Sequence, residues 1–344
     1  RRRPSRRPRR GDPGVDAVIL VGGFGTRLRP LTLSVPKPLL PVGNVPIVER
    51  IIASLERAGV TRAVLALGFK PEPFLAAFPD GRCGGVELIY AVEPEPLDTA
   101  GAIAFAARHA GISSTFVVAN GDILTSLDIS RVVDFHRASG AEGTLHLVPV
   151  DDPSQFGVVE TDATGRVLRF VEKPAPGEST SRNVNAGTYV LEPSVIDRVP
   201  VGGKLSIERV VFPEMVASAS LFAIATDDAW IDTGRPETFL AANMSAVDSA
   251  GSSIIHGSAT VDATATVERS VVGAGAVVGA RARIVGSVIF PSAAVGDGAV
   301  VEAGLVMGVV GADAVVRDVV VGEDGVIEAG INISGAKVPA PEGS

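Results

Sequence analysis

The chemistry of this chain concentrates near its amino-terminal end, where Gly22, Gly23 and Gly25 lead into Thr26, Arg27, Arg29 and Lys37. Glycine lacks a Cβ, so its backbone N–H groups can turn inward and approach an anion closely. The threonine, arginines and lysine add hydrogen-bond donors and positive charge, which together are the chemistry of a triphosphate cradle. Three glycines alone would be an ordinary strand-to-loop turn, and the spacing is neither G-x-x-x-x-G-K-[ST] nor G-x-G-x-x-G. Two carboxylates stand in comparable places further on. Asn120-Gly121-Asp122 follows an apolar run, and Trp230-Ile231-Asp232-Thr233-Gly234 is again a strand edge followed by a turn. Mg2+ takes one or two carboxylates together with phosphate oxygens and water. Beside a triphosphate, Asp122 and Asp232 are therefore candidate Mg2+ ligands.

These residues need a scaffold, and the pattern from Val15 to about Val247 supplies one. Val15 to Val21 is an apolar run of the buried-strand type, broken at once by the glycines. Asn44 is placed to cap a helix with Ile47, Ile51, Ile52 and Leu55 on one face and Gly59 as its stop. Strands are expected over 63–67, 87–91 and 115–119, a short helix over 71–78, and a helix over 100–109 capped by Thr99. Strand and helix alternating in this rhythm predict an α/β fold with a doubly wound, mixed and mostly parallel sheet of Rossmann-like type. In such sheets ligands sit at the carboxyl ends of the strands. Asp122 and the glycine loop then share one edge.

Gly-Gly-x-Gly-Thr-Arg-Leu-x-Pro-Leu-Thr, running from Gly22 to Thr32, followed by Pro36-Lys37-Pro38, closely resembles the signature of the sugar-1-phosphate nucleotidylyltransferases, the nucleoside-diphosphate-sugar pyrophosphorylase family. Val21 in the Leu-Val-Gly-Gly form is most similar to its guanylyltransferase branch, which acts on mannose-1-phosphate. The resemblance implies that Asp122 and Asp232 hold the metal. It also implies a nucleotide lying against Leu20, Gly22, Gly23, Gly25, Thr26, Arg27, Glu93, Asp98, Thr99 and Gly121. In isolation Glu172-Lys173 would be a solvated surface pair. In the resembled family the lysine of Glu-Lys-Pro binds the sugar phosphate, while the glutamate and the asparagine of Asn-x-Gly hold sugar hydroxyls. Glu172, Lys173, Asn185 and Gly187 fill those places here, behind a hairpin that contains Phe156-Gly157-Val158-Val159.

The reaction implied is attack of a hexose-1-phosphate oxygen on the α-phosphorus of a nucleoside triphosphate. A phosphate monoester has its second pKa near about 6, so the nucleophile is already an anion and needs no general base. The barrier is the meeting of two polyanions, offset by positioning and charge neutralisation. Arg27 is expected on the leaving pyrophosphate, Lys37 around the reacting centre and Lys173 on the incoming phosphate. For the base, an acceptor-only carboxylate suits the neighbouring N–H donors of guanine. Glu93 and Glu95 are candidates, and the family pattern favours Glu93 and GTP. The same loop departs from that pattern, with Asp98 where Leu-Gly-Thr is usual. UTP or dTTP with glucose-1-phosphate is the alternative, as is a catalytically silent regulatory paralogue that binds a sugar nucleotide.

Composition bounds the remaining classes. The 344-residue chain carries a net charge of −8, but seven arginines lie within Arg1–Arg10, leaving 24 basic against 39 acidic residues elsewhere. That balance excludes nucleic acid as the main partner. The single cysteine, Cys83, excludes an internal disulfide and suits a reducing cytoplasm. No segment approaches the ~20 uninterrupted apolar residues of a membrane span. Residues 1–14, rich in Arg and Pro, are expected to form a disordered leader.

Beyond residue 247 the pattern changes. Residues 248–253 are small and polar and are expected to form a linker between a catalytic domain, 15–247, and a last domain, 254–344. In the latter, apolar residues recur every six positions: Ile255, Val261, Val267; Val272, Val278, Ile284; Ile289, Val295, Val301; Val310, Val316; Val321, Ile327, Ile333. This is the hexapeptide signature of a left-handed parallel β-helix. Such coils occur in acyltransferases, but here the only histidine is His256. A homo-oligomerisation and regulatory module is expected.

Overall fold

The runs Val15–Leu20, Val60–Leu67 and Phe116–Asn120 are apolar almost throughout. Strands of that kind must be covered on both faces. In the computed structural model, which describes residues 15–68, 71–175 and 177–340, they lie side by side and parallel, with Val86–Val92 outside Val60–Leu67. In space the order is third, second, first, fourth. Winding therefore reverses between Val15–Leu20 and Phe116–Asn120, which opens a crevice at their carboxyl ends. Beyond Phe116–Asn120 the sheet turns antiparallel through Asn183–Leu191, which also pairs with Gly143–Pro149 and touches Gly157–Thr161. The expected hairpin is present as Gly157–Thr161 against Val167–Glu172. The side chain of Asp162 closes its turn by accepting from the N–H groups of Thr164 and Arg166. The sheet is mixed, as expected, and the leader expected over 1–14 lies outside the described residues.

Helices Asp98–His109 and Phe212–Ala217 contribute to the sheet's main core. There Phe116, Tyr189, Phe212 and Met215 are fully buried, and the rings of Tyr189 and Phe212 meet edge to face at 5.2 Å. Two expected caps are absent. Thr99 lies inside its helix, because Ala100 and Gly101 donate their N–H groups to the Leu205 carbonyl instead. Asn44 has a left-handed backbone, φ 65°, in a turn between Pro41–Val42 and Val45–Pro46, and the helix begins at Ile47.

Residue contacts cluster into two compact units. One contains the chain up to Gly23 with Glu49–Trp230; the other contains Phe24–Val48 with the chain from Ile231 onward. In the second unit three parallel sheets of two- and three-residue strands stack into a left-handed parallel β-helix. The hexad residues point inward with small partners two positions earlier: Ala276 before Val278, Ala282 before Ile284, Ala299 before Val301. One coil is shorter than the hexad pattern predicts. Val306 takes the inward place in Leu305–Val306, and Val310 follows after a tight corner at Gly308, where a Cβ would lie 2.1 Å from the Gly325 carbonyl. The expected linker over 248–253 is also shorter. Helix Pro236–Ala250 takes its first residues and ends at Gly251, whose φ of 72° suits glycine, while Asp248 pairs with Arg269.

His146, in Gly143–Pro149, is buried with Nε2 at 2.7 Å from Thr226 Oγ1, and burial holds its pKa down to about 4. An unfolded histidine titrates near about 6.5, so between that pH and 4 the unfolded chain binds a proton that the folded chain does not. Stability is therefore expected to fall as pH drops through this window, by up to about 3 kcal/mol. Urea midpoints at pH 7 and pH 4.5 check this: His146→Gln should lose less stability over that interval than the unchanged chain.

Candidate active site

In the first unit the crevice is built from backbone. Leu20 and Asn120 are register partners, and Gly121 donates its N–H to the Leu20 carbonyl at 2.9 Å. A Cβ on Gly121 would lie 2.6 Å from that oxygen, and one on Gly22 would lie 2.8 Å from the Gly68 nitrogen. Both glycines thus answer to backbone neighbours. At Gly23 a Cβ would meet nothing within 4 Å, so that position is open on its side-chain face. Asp122 follows directly, half-buried at the carboxyl end of the central strand.

Along the antiparallel side the residues expected on the sugar come together. Gly187 has φ 75°, and a Cβ there would lie 2.6 Å from Asn120 Nδ2. Asn185 accepts from the Gly187 N–H through Oδ1 and donates from Nδ2 to Tyr189 Oη at 2.9 Å. The ladder slips register between Asn185 and Tyr189, which re-aims the asparagine. Burial pushes the Tyr189 phenol up, keeping its oxygen protonated and able to accept from the amide. Glu172 stands close to Gly157, whose added Cβ would lie 3.0 Å from Glu172 Oε2. Burial first, and then the charge of Glu208, raise the Glu172 carboxyl pKa; Lys173 and Arg209 act against them. Lys173 is exposed, with its Nζ 3.8 Å from Glu172 Oε1 and its backbone held left-handed at φ 53°. A non-glycine residue held there stores strain, a common feature of functional sites.

Glu208 and Arg209 escaped the sequence patterns. They lie on a single π-helical turn, Ile207–Val211, capped by Ser206. Such turns recur at functional sites, but no residue spacing announces one. Glu208 Oε2 accepts from the hydroxyls of Thr99 and Ser206, and the N–H of Ile207 donates to Thr99 Oγ1. The Thr99 hydroxyl, expected on the nucleotide, is committed to this clasp.

The base loop is likewise tied to itself. Glu93 is buried, with its Oε2 accepting from the Leu97 N–H at 2.9 Å; burial raises its carboxyl pKa and that hydrogen bond lowers it. Asp98, exposed, has φ 61° and accepts from the Thr99 N–H through Oδ1. The position where a glycine was expected is left-handed. Aspartate is among the few other residues that tolerate it, through such a local hydrogen bond.

The cationic residues gather in the second unit. Gly25, φ 58°, opens the short turn Thr26–Leu28, and Thr32 Oγ1 donates to its carbonyl. Lys37 is 7% exposed, yet its Nζ lies 3.8 Å from Asp232 Oδ1. The same oxygen accepts from the Gly234 N–H at 2.8 Å. A Cβ on Gly234 would lie 2.7 Å from an Arg27 guanidinium nitrogen and 2.8 Å from Asp232 Oδ1. The Arg27 guanidinium and the Asp232 carboxylate therefore meet at one glycine, with the Lys37 ammonium near the same carboxylate. Oxygen donors of this type suit a hard divalent cation, and the two cations suit a polyphosphate.

Each unit thus carries chemistry suited to nucleotide phosphates: a glycine turn and a carboxylate at the switch point of the sheet in one, an arginine and a lysine near an aspartate in the other. Residues 16–249 match the nucleotidyl transferase family, and the chain belongs to it. Enzymes of this family generally use a divalent metal. The mannose-1-phosphate guanylyltransferase of Mycobacterium tuberculosis is 39% identical over 301 residues, 84% of this chain and 83% of that protein. The mannose-1-phosphate guanylyltransferase catalytic subunit beta of Drosophila melanogaster is 42% identical over 229 residues, 66% of this chain and 61% of that protein. Among solved structures, HddC from Yersinia pseudotuberculosis shares the fold at a TM-score of 0.58 and 29% identity, over 67% of this chain and 99% of that one. A second structure of HddC is complexed with GMP-PN. A putative glucose-1-phosphate thymidylyltransferase from Bacillus anthracis, in complex with a sucrose, has a TM-score of 0.62 at 25% identity, over 68% of this chain and 96% of that one.

If Glu93 braces its loop, Glu93→Ala should strand the buried Leu97 N–H and lower stability by about 1–3 kcal/mol. Glu93→Gln keeps an acceptor and should lose less than half of that. Chemical denaturation of both variants measures the difference.

Proposed function

We propose that this chain transfers a guanylyl group from GTP to mannose-1-phosphate, giving GDP-mannose and pyrophosphate with Mg2+ as the metal. The observation that carries the proposal is the likeness to mannose-1-phosphate guanylyltransferases at 39–43% identity, on a chain that keeps Arg27, Lys37, Asp122, Lys173 and Asp232. A sugar-phosphate oxygen attacks the α-phosphorus; one P–O bond forms, the α–β bridging P–O bond breaks, and its electron pair leaves on pyrophosphate. No proton need be removed from the nucleophile.

Each residue then has a part. Arg27 takes the leaving phosphates, Lys37 the oxygens around the reacting phosphorus, and Lys173 the incoming phosphate. Asn185, oriented by Tyr189, and Glu172 hold sugar hydroxyls, with Gly157 and Gly187 leaving room beside them. Leu20, Gly22, Gly23, Gly25, Thr26 and Gly121 line the nucleotide. Asp122 and Asp232 are the carboxylates that would hold Mg2+, which supplies charge neutralisation between the phosphates. Glu93 bears on guanine through the loop it braces, and Asp98 through the backbone turn it permits. Residues 15–247 carry the chemistry, and residues 254–344 carry assembly.

Assembly as a homo-oligomer is supported by one face of the β-helix. Its middle sheet aligns Val277, Ala294, Val309 and Val326 in register, with the three valines 42–54% exposed. The third sheet instead presents Arg283, Glu302 and Arg317 in ion pairs. A second copy is the occupant proposed for the apolar row. Among the described residues no helix is long and apolar enough to cross a membrane. A cytoplasmic location is proposed from the single thiol, Cys83, which burial pushes up to about 11.

Two measurements test this. Pyrophosphate release with mannose-1-phosphate should be fastest with GTP among GTP, UTP, ATP and dTTP, and Asp122→Asn should lower it roughly a hundredfold or more; parity among nucleotides defeats the guanine assignment, and an inactive chain defeats the enzyme. Light scattering after size-exclusion chromatography should give a mass above that of one chain, and Val309→Lys with Val326→Lys should reduce it.

A further inference from the structure

The β-helix does more within its own unit than present faces. Its first sheet runs through Ile254–Ile255, Val271–Val272, Val288–Ile289, Leu305–Val306, Val320–Val321 and Lys337–Val338. Along these strands and the corner that follows them, successive coils meet the segment Phe24–Val48 or the helix Pro236–Ala250. Asn44 Nδ2 donates to the Val272 carbonyl at 3.0 Å. Phe290 stacks on Phe239 at 5.9 Å. The Ser34 hydroxyl reaches Met307 Sδ at 3.7 Å. Pro30 packs on Gly322 so closely that a Cβ there would lie 2.8 Å from the proline Cβ. Lys337 Nζ, in the last coil, donates to the Arg27 carbonyl at 3.2 Å.

The order is regular: as the β-helix advances, the loop is met in reverse, at residues 44, 34, 30 and finally 27. We infer that this corner is a template for the phosphate loop, and that Lys337 and Gly322 are positioning residues that set where the Arg27 guanidinium stands. Gly322 admits Pro30, which fixes the turn after Arg27, while the Lys337 ammonium holds the Arg27 carbonyl. The β-helix thereby acts on the chemistry through the phosphate loop that it holds. The inference rests on the assignment of Arg27 to the leaving phosphates, but its structural part can be measured without turnover.

The test uses the full chain and compares Lys337→Ala, Gly322→Ala, Lys337→Arg and Thr266→Ala, the last an exposed residue of the third sheet. Hydrogen–deuterium exchange over residues 24–40 should rise severalfold in Lys337→Ala and Gly322→Ala at an unchanged melting temperature, and stay unchanged in Thr266→Ala. In the same two variants kcat should fall about tenfold, as misplacement of a catalytic group does, with KM for mannose-1-phosphate within about twofold; Lys337→Arg, which keeps a donor, should restore kcat. Unchanged exchange in both variants, or raised exchange with unchanged kcat, overturns the inference. A chain inactive before substitution overturns the proposed reaction instead, and exchange alone then decides whether the corner holds the loop.

Discussion

A lysine ammonium withdrawn from water is tolerated only with an anion in reach, and Lys37 satisfies that condition with Asp232. Arg27 shares the arrangement across the bare backbone of Gly234, which a methyl group would obstruct. Much of the second unit follows from keeping this arrangement intact. The left-handed Gly25, the Thr32 hydroxyl on its carbonyl and the contacts with the β-helix corner all restrain the short segment on which Arg27 and Lys37 ride.

The first unit works by a different device, a sheet whose winding reverses. Strand ends at Leu20 and Asn120 come side by side in register, so a glycine turn and an aspartate emerge together. The antiparallel extension then brings Asn185, Gly187, Glu172 and Lys173 from two further strands and their ends. A register slip aims Asn185, and the buried Tyr189 orients its amide. The residues that touch no ligand in this scheme do as much to shape it as those that do. Glu208 ties Thr99 and Ser206 together, Glu93 closes its own loop, and Asp98 holds a turn that its backbone geometry makes costly for most side chains.

Local signals were legible wherever the backbone itself produces them. The apolar runs predicted the parallel strands and the six-residue period predicted the β-helix, because each depends on alternation or repetition within one segment. The failures share a cause. Thr99 and Asn44 have the residue types of helix caps, yet the donors that Thr99 would have satisfied go to Leu205, and Asn44 serves the β-helix instead. The coil around Val306 drops out of a strict hexad count because its corner is short, which only stacking on the next coil reveals.

By itself the sequence determined the fold class, an α/β sheet followed by a β-helical repeat, and the presence of residue types able to bind phosphates, since periodicity and a long contiguous motif are properties of the chain. Only tertiary structure decided what each of those side chains is free to do. It committed Thr99 and Glu93 to internal hydrogen bonds, made Gly22 and Gly121 answer to neighbouring backbone, exposed the π-helical turn with Glu208 and Arg209, and seated the Arg27 segment on the last coils of the β-helix. These are contacts between residues far apart in the chain, and no local pattern encodes which donor will find which acceptor once the backbone has closed on itself.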